Sequence, residues 1–278
     1  MNVYYVDGKF LPADEALIPV DDLAILRGVG VFDLVRTYNG KPLFLEEHVT
    51  RLINSAKKID LDIPWSHDRI CRVALETLER NDLEEANIRI IITGGSSLDF
   101  MTPSGRPRLL VLVTALPKLP PWWYTKGVKV ITVRAERHIP GAKSIGYLTA
   151  AMALRRAQYR EAVEVIYLDH KGLALEGATS NLFAFIRGRL VTPGRGILSG
   201  ITRKAVLEVA QDLFSIDIRD LPKKELVRAQ EVFITGTSKG VVPVVQIDDT
   251  TIGNGRPGHQ TRRMMTALED HTARLRAK

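Results

Sequence analysis

The residue with the clearest chemical potential is Lys143, which lies in the stretch GAKSIGYLTA among glycine, alanine and serine. Small neighbours allow close approach to a lysine and partly exclude water from its ammonium group, which in general lowers its pKa. A lysine that loses its proton can attack a carbonyl carbon and form a Schiff base. Most lysines are simply solvated, so the groups that accompany Lys143 decide whether this chemistry is expected.

Two glycine-containing stretches can bind an anion. In LSGITRKA a glycine leads directly into a helix start, where the backbone N–H groups of Ile201 and Thr202 are expected to be unpaired donors. In TGTSKG, Gly236 is expected to let the backbone bend between two strands and to expose the hydroxyl groups of Thr237 and Ser238. Each stretch is a weak signal by itself, because helix starts with threonine and glycine turns are common.

The combination of these groups is more specific than its parts. Arg51, on a helix with an apolar stripe, is a third candidate for an anion, although an arginine there is ordinarily a surface residue. Glu176, in LALEGATSN, supplies a carboxylate followed by small residues that let a flat ring approach. A lysine for an imine, a carboxylate for a protonated ring nitrogen and a helix start for phosphate are the three groups that pyridoxal 5′-phosphate requires.

The chain resembles the class IV aminotransferases, the fold-type IV enzymes that use pyridoxal phosphate. The matching stretches, in family order and over nearly the whole chain, are GVGVFDLVRTYNGKPLFLEEHVTRLINSAKKI, GAKSIGYLTAAMALRRAQYREAVEVIYLD, EGATSNLFAF, LVTP, LSGITR and FITGTSKGVVPV. The resemblance implies an α+β protein with a small N-terminal α/β domain and a larger C-terminal domain built around a pseudo-barrel. It also implies a homodimer, with the cofactor between the two domains.

The resemblance assigns roles by position. Lys143 would form the Schiff base and then move the proton between the substrate α-carbon and C4′ of the cofactor. Glu176 would pair with the pyridine nitrogen and keep it protonated. Tyr147 would hydrogen-bond the phenolic oxygen of the ring, although the spacing from lysine to tyrosine varies within the family. The groups expected to bind the phosphate are the Arg51 side chain, the backbone of Ile201 and Thr202, and the Thr237 hydroxyl.

Substrate choice depends on what binds the α-carboxylate. Family members that act on D-amino acids often carry an arginine and a histidine on the strand after the second helix, and branched-chain enzymes use tyrosines and an arginine from several loops. This chain fits neither pattern, since Asn87 stands where branched-chain members tend to have tyrosine. It has Arg89 on that strand and Arg27 in LAILRGVGVFD. Two arginines in one pocket could bind the carboxylates of an amino acid and of an acidic oxo acid.

The ILRG, GVFD and TGG stretches resemble a less usual subgroup of D-amino-acid transaminases that uses such an arginine pair, the first arginine reaching in from the neighbouring subunit. Thr237 and Ser238 are further substrate-binding candidates. We therefore predict transfer of an amino group between a D-amino acid, such as D-alanine or D-glutamate, and 2-oxoglutarate or pyruvate. The alternatives are a branched-chain L-amino-acid aminotransferase and an aminodeoxychorismate lyase. A basic, non-enzymatic binding protein would leave the ordered lysine, glutamate and phosphate groups as a coincidence.

The elements that must position these residues fall into two α+β sections. The first has hairpin signals at Asp-Gly and Asn-Gly pairs, helices at LEEHVTRLINSAKKI and over residues 68–80, and two apolar strands. The proline-rich PKLPPWWYTKG is typical of a linker. The second section contains a strand, a helix from about residue 147 to 161, further strands and a helix from 201 to 214. The predicted domains are 1–115 and 125–278, joined by a linker over 116–124.

Composition narrows the remaining classes of function. The chain has 278 residues, 45% of them apolar, and a net charge of +7 with its basic residues scattered, which predicts no nucleic-acid partner. No apolar run reaches the roughly 20 residues of a membrane helix, and MNVYYVDGKF does not resemble a signal peptide, so we expect a cytoplasmic protein without a membrane partner. One cysteine excludes an internal disulfide, and the six histidines show no metal-ligand spacing, so no metal is expected.

Overall fold

The computed structural model describes residues 2–276, and the chain forms two compact units. The first unit runs to Pro117 and also includes Gly141–Tyr147. The second unit consists of Lys118–Pro140 and the chain from Leu148 onward. The predicted boundaries differ from this division mainly in Gly141–Tyr147, which the prediction placed in the second domain and which carries the lysine of interest.

A six-stranded antiparallel sheet with three helices makes up the first unit, and its strand order is β2-β1-β6-β5-β3-β4. Its elements are β1 (Val3–Val6), β2 (Lys9–Pro12), α1 (Leu23–Arg27), β3 (Gly30–Tyr38), β4 (Lys41–Pro42), α2 (Leu45–Lys58), α3 (His67–Glu79), β5 (Ala86–Thr93) and β6 (Arg108–Ala115). The two helices predicted in this section are confirmed.

Alternate side chains of β3 and β5 point to opposite faces of the sheet, and one of these faces packs against the helices of the first unit. Val31, Val35, Ile88 and Ile90 are fully buried in one core cluster together with the apolar stripe of α2 and α3. Successive side chains in a strand point to opposite faces, so Phe32 of β3 lies on the face opposite this core. That second face is only partly covered.

The tight turns form where the sequence predicts them. The pairs Asp7-Gly8 and Asn39-Gly40 both have positive φ values, 47° and 103° in the first pair and 49° and 75° in the second. Aspartate, asparagine and glycine tolerate this left-handed backbone, which a two-residue hairpin turn requires.

The segment Gly141–Tyr147 joins the first unit through backbone pairing with β3. The N–H of Phe32 donates to the carbonyl of Lys143, and the N–H of Ile145 donates to the carbonyl of Gly30, at 2.9 and 3.0 Å. Val31 and Ser144 form an antiparallel bridge between them. This pairing fixes the backbone of Lys143 beside β3. Only the side chain of Lys143 can still rotate.

The second unit is built on a ten-stranded mixed sheet with the order β12-β11-β10-β14-β15-β7-β8-β9-β13, and β16 pairs with β15. Its elements are α4 (Trp122–Thr125), β7 (Val128–Arg134), α5 (Leu148–Tyr159), β8 (Glu164–Leu168), β9 (Leu173–Gly177), β10 (Asn181–Ile186), β11 (Arg189–Thr192), α6 (Ile201–Ala210), β12 (Ile216–Ile218), β13 (Leu221–Pro222), α7 (Lys223–Leu226), β14 (Glu231–Gly236), β15 (Gly240–Ile247), β16 (Thr250–Thr251) and α8 (His259–Arg276).

Part of the predicted linker belongs to this second unit. The short helix α4 begins at Trp122, and Trp123 and Tyr124 pack against the buried strand residues of the unit. Among the residues that the structure describes, no helix is long and apolar enough to cross a membrane.

Candidate active site

Lys143 lies beside an aromatic pair in the first unit. Its Nζ atom is 4.7 Å from the centroid of the Phe32 ring and donates to Tyr147 Oη at 3.4 Å. Phe32 and Tyr147 meet edge to face, with their ring centroids 5.3 Å apart. The structure thus brings together two predicted residues, Lys143 and Tyr147, around a ring that β3 presents on its open face.

Arg89 approaches the same ring from β5. Its guanidinium carbon lies 5.5 Å from the Phe32 centroid, and the Arg89 side chain is exposed. β3 and β5 pair in register so that Arg89 lies opposite Leu34, which directs both side chains to the face that carries Phe32. Asn87 is two residues away on the same strand and is buried.

Arg27 is exposed and lies at the end of the short helix α1. Its Nη1 atom donates to the carbonyl of Leu26 at 2.8 Å. The nearby acids have other partners: Asp21 accepts from Ser96, and Asp22 accepts from the N–H of Ala24 at 2.8 Å. In the part of the chain that the structure describes, the Arg27 side chain has no hydrogen bond or ion pair with Lys143 or Arg89, and the pairing of Arg27 with Arg89 in one pocket stays a prediction.

A fully buried carboxylate, Asp33, orients Arg51. Arg51 Nε donates to Asp33 Oδ2 at 2.8 Å and Arg51 Nη2 donates to Oδ1 at 2.7 Å, a side-on pair. His48 Nδ1 lies 2.6 Å from the same Oδ1. Because an arginine has five N–H donors in a rigid plane, a two-point contact with one carboxylate fixes the direction of the others.

Burial and pairing determine the charges of Asp33 and His48 beside the partly buried Arg51. Burial opposes ionisation of Asp33, but the Arg51 guanidinium and His48 hold its pKa well below the usual range, so the carboxylate is charged. Burial lowers the pKa of His48 and outweighs the opposing attraction of Asp33. Since Arg51 already balances Asp33, a protonated His48 would add a second buried cation, and His48 is therefore neutral and donates through Nδ1.

Ser55 connects α2 with the lysine segment. The backbone N–H of Lys143 donates to Ser55 Oγ at 3.1 Å, and Ser55 Oγ donates to the carbonyl of Arg51 at 2.7 Å. One buried hydroxyl group therefore sets the distance between the backbones of two predicted site residues.

In the second unit, Glu176 is almost fully buried near the end of β9. Its carboxylate forms an ion pair with the Arg137 guanidinium and accepts from Asn181 Nδ2 at 3.2 Å and from the N–H of Leu198 at 3.0 Å. Burial also lowers the pKa of Arg203, against the attraction of Glu176. Glu176 is thus a charged acceptor held by groups from three directions.

The start of α6 has the form of an anion site. Gly200 is the N-cap residue, and glycine has no side chain that could accept from the first N–H groups of the helix, those of Ile201 and Thr202. A Cβ atom at Gly200 would lie 1.9 Å from Asn181 Oδ1, so a larger residue does not fit. The N–H groups and the helix dipole together favour a negative group here.

Thr237 and Ser238 are half-buried in the turn between β14 and β15. The chain turns directly after Gly236, the last residue of β14, whose carbonyl accepts from the N–H of Lys239 at 3.1 Å, and the positive φ of this turn, 61°, is at Gly240. Gly236 also provides space: a Cβ atom there would lie 3.2 Å from the carbonyl of Thr179 and 3.3 Å from Lys239 Cγ.

The predicted residues therefore form two groups, one in each unit. Lys143, Tyr147, Arg51, Arg89 and Arg27 lie in the first unit, and Glu176, Ile201, Thr202, Thr237 and Ser238 lie in the second. Sequence reasoning missed Asp33, His48, Ser55, Arg137 and Asn181. A signal existed for two of them, since His48 and Ser55 are three before and four after Arg51 and so share its helix face.

The donor set fits pyridoxal phosphate. An uncapped helix start that excludes a Cβ atom suits a phosphate group, a buried charged carboxylate suits a protonated pyridine nitrogen, and a lysine amine beside aromatic rings suits the aldehyde carbon. When bound, this cofactor supplies an electron-withdrawing ring that stabilises negative charge at the substrate α-carbon. Over the part of the chain that the structure describes, no cluster of three His, Cys, Asp or Glu side chains could hold a metal ion.

Comparison with known proteins identifies the family of this chain. Residues 30–247 match the family model for amino-transferase class IV. A putative branched-chain-amino-acid aminotransferase of Methanocaldococcus jannaschii is 35% identical over 275 residues, which cover 96% of this chain and 95% of the relative. A D-alanine aminotransferase of Bacillus licheniformis is 30% identical over 269 residues, 95% of each protein.

Solved structures show the same fold. The branched-chain amino acid aminotransferase of Escherichia coli superimposes with a TM-score of 0.91 at 28% identity, over 97% of this chain and 94% of that one. A T.th. branched-chain amino acid aminotransferase with pyridoxamine 5′-phosphate gives 0.90 at 29% identity, over 98% and 94%. The expected fold-type IV architecture and the pyridoxal phosphate cofactor are thereby confirmed. Since the family model matches most of the chain and relatives are similar over nearly its whole length, the chain belongs to the class IV aminotransferases.

Proposed function

We propose that this aminotransferase moves an amino group between a D-amino acid, such as D-alanine or D-glutamate, and a 2-oxo acid, either 2-oxoglutarate or pyruvate. Lys143 binds the cofactor covalently and then carries the proton at the substrate α-carbon, and Tyr147 binds the phenolic oxygen of the ring. Glu176 holds the proton of the ring nitrogen. The phosphate is bound by the Arg51 side chain, the N–H groups of Ile201 and Thr202, and the Thr237 hydroxyl.

The observation that carries the substrate proposal is the position of Arg89. Its exposed guanidinium lies against the Phe32 ring, and Lys143 Nζ lies against the same ring. A planar guanidinium that is held by an aromatic face binds a carboxylate through two N–H groups, which suits the α-carboxylate of an amino acid or the distal carboxylate of an acidic oxo acid.

A homodimer is part of this proposal. Arg27 is exposed at the end of α1 and contacts the carbonyl of its own neighbour Leu26, so it is available to a second copy of the chain. We propose that it reaches the site of the neighbouring subunit and there binds the second carboxylate, with Thr237 and Ser238 as further substrate contacts.

One specific observation favours a second candidate function, a branched-chain L-amino-acid aminotransferase. The Methanocaldococcus jannaschii relative, at 35% identity, carries that name, whereas the D-alanine aminotransferase of Bacillus licheniformis is 30% identical. Arg89 argues for the first candidate, since a guanidinium beside the reacting amine suits charged substrates better than aliphatic side chains.

A half-reaction panel separates the two candidates. The purified protein is mixed with D-alanine, D-glutamate, L-leucine or L-glutamate, and the visible absorbance of the bound cofactor is followed. We expect loss of this absorbance with the two D-amino acids. Loss with the L-amino acids alone would refute D-specificity and support the branched-chain function.

The role of Arg89 has a matched control in the same unit. Arg80 also stacks on a phenylalanine, with its guanidinium carbon 4.0 Å from the Phe10 ring. Arg89→Met is expected to raise the substrate concentration for half-maximal reaction about tenfold or more, because one charge-assisted contact is lost. Arg80→Met should leave that concentration unchanged, and equal effects of both substitutions would remove Arg89 from the substrate site.

A further inference from the structure

A fully buried carboxylate outside the predicted site, Glu164, collects an unusual number of donors. Glu164 begins β8, and its side chain is 0% exposed. Its Oε2 atom accepts from Thr179 N and Oγ1 at 3.2 and 2.6 Å, from Ser180 Oγ at 3.0 Å and from Lys239 Nζ at 3.2 Å. Its Oε1 atom accepts from the N–H of Val165 at 3.0 Å.

The donors come from two segments that directly follow predicted cofactor residues. Thr179 and Ser180 lie in the turn after Glu176, the proposed partner of the ring nitrogen. Lys239 follows the proposed phosphate ligand Thr237 in the turn between β14 and β15. Lys239 Nζ also donates to Thr179 Oγ1 at 2.8 Å, so the two segments are bonded to each other as well as to Glu164.

The backbone of Lys239 is held by two hydrogen bonds. Its backbone N–H donates to the carbonyl of Gly236 at 3.1 Å, and its own carbonyl accepts from Tyr124 Oη at 3.0 Å. Its aliphatic stem passes over Gly236, where even a Cβ atom would be crowded. The side chain is 15% exposed, so its ammonium group is held in a mostly dry environment where its bond to a carboxylate is strong.

We propose that Glu164 and Lys239 are positioning residues that hold the turn of Thr237 and Ser238 in the geometry that binds the cofactor phosphate. A turn with a free lysine would sample several conformations, and each would move the Thr237 hydroxyl relative to the helix start at Gly200. The buried carboxylate removes this freedom before the cofactor arrives. This inference rests on the proposed role of Thr237.

The test compares binding of pyridoxal phosphate and of pyridoxal, which lacks the phosphate, by titration of the full-length protein freed of cofactor. Lys239→Met keeps the stem and removes the ammonium group. We expect its affinity for pyridoxal phosphate to fall by about ten- to hundredfold, the value of a charge-assisted hydrogen bond, with a much smaller change for pyridoxal. Lys239→Arg should recover part of the loss.

A second lysine provides the matched control. Lys223 Nζ donates to Asp248 Oδ2 at 2.7 Å and to Thr132 Oγ1 at 2.9 Å, the same kind of trio in the same unit. Lys223→Met should lower the melting temperature to a similar extent as Lys239→Met while the ratio of the two affinities stays at the wild-type value. An equal change of this ratio in both variants would overturn the inference, since it would then report stability alone.

Thr237→Ala separates this inference from the proposed function. If Thr237→Ala weakens pyridoxal phosphate selectively and Lys239→Met does not, the phosphate site stands and the positioning role is wrong. If neither substitution changes the ratio of affinities, the proposed phosphate role of Thr237 fails and the positioning role fails with it. Selective loss in both variants is the expected result.

Discussion

At the scale of single residues, some polar groups of the site could be predicted from the sequence, and the hydrogen-bonded network that holds Arg51 could not. Lys143 could be predicted because its small neighbours are unusual for a lysine. The Asp33, His48 and Arg51 trio could not, because it joins a strand to a helix across 15 to 18 residues and each residue type is common. The three side chains come together only when α2 packs on β3, which a local sequence pattern does not show.

The neutral state of His48 makes stability dependent on pH. Burial holds its pKa below the ordinary value, so the unfolded chain, with a histidine pKa of about 6.5, binds the proton more readily. The contribution of neutral His48 is therefore complete above about pH 6.5 and decreases as the pH falls, by at most about 1.4 kcal/mol per pH unit.

We compare urea unfolding of the wild type with that of His48→Asn, whose amide can still donate to Asp33, between pH 8 and pH 5. The difference in stability between the two should shrink on acidification. A constant difference over this range would show that His48 is not buried as a neutral group. Titration of the half-buried His67 is common to both proteins and cancels.

At the scale of elements, turn chemistry and apolar periodicity predicted most of the helices and hairpins. The helix predicted over residues 201–214 is too long, because α6 ends at Ala210 and the chain then turns so that Phe214 packs edge to face on Phe185, with centroids 5.0 Å apart. Gly236 has a second role that a local pattern does not show, since a Cβ atom there would be crowded by the carbonyl of Thr179, a residue far away in the sequence.

The start of α6 allows a direct test of the glycine requirement. Gly200→Ala would place a Cβ atom on Asn181 Oδ1 and displace the amide that donates to Glu176. We expect a loss of about 1–3 kcal/mol in stability and weaker cofactor binding, because overpacking forces neighbouring groups apart.

Gly194→Ala is the control for this substitution. Its Cβ atom would lie 3.0 Å from a methyl group of the exposed Ile218, which can move aside. Wild-type cofactor binding in Gly200→Ala, measured by titration, would show that the helix start does not need glycine.

At the scale of the whole molecule, family and fold followed from the sequence, but the grouping of the site residues did not. Gly141–Tyr147 belongs to the first unit through its pairing with β3, a contact between segments more than 100 residues apart. A linear reading of the chain assigns such a segment to the domain that follows it. Substrate choice also belongs to this scale in our proposal, because Arg27 is proposed to reach the site of a neighbouring subunit while Arg89 lies beside the Phe32 ring of its own chain.

We propose, above all, that Lys143 binds the cofactor covalently. Reduction of the purified protein with borohydride, followed by proteolysis and mass spectrometry, should place one phosphopyridoxyl group per chain on Lys143. Lys143→Arg should give no such group and no visible absorbance. A modified lysine elsewhere at the same stoichiometry, or an unmodified Lys143 in protein that is saturated with pyridoxal phosphate, would contradict the account.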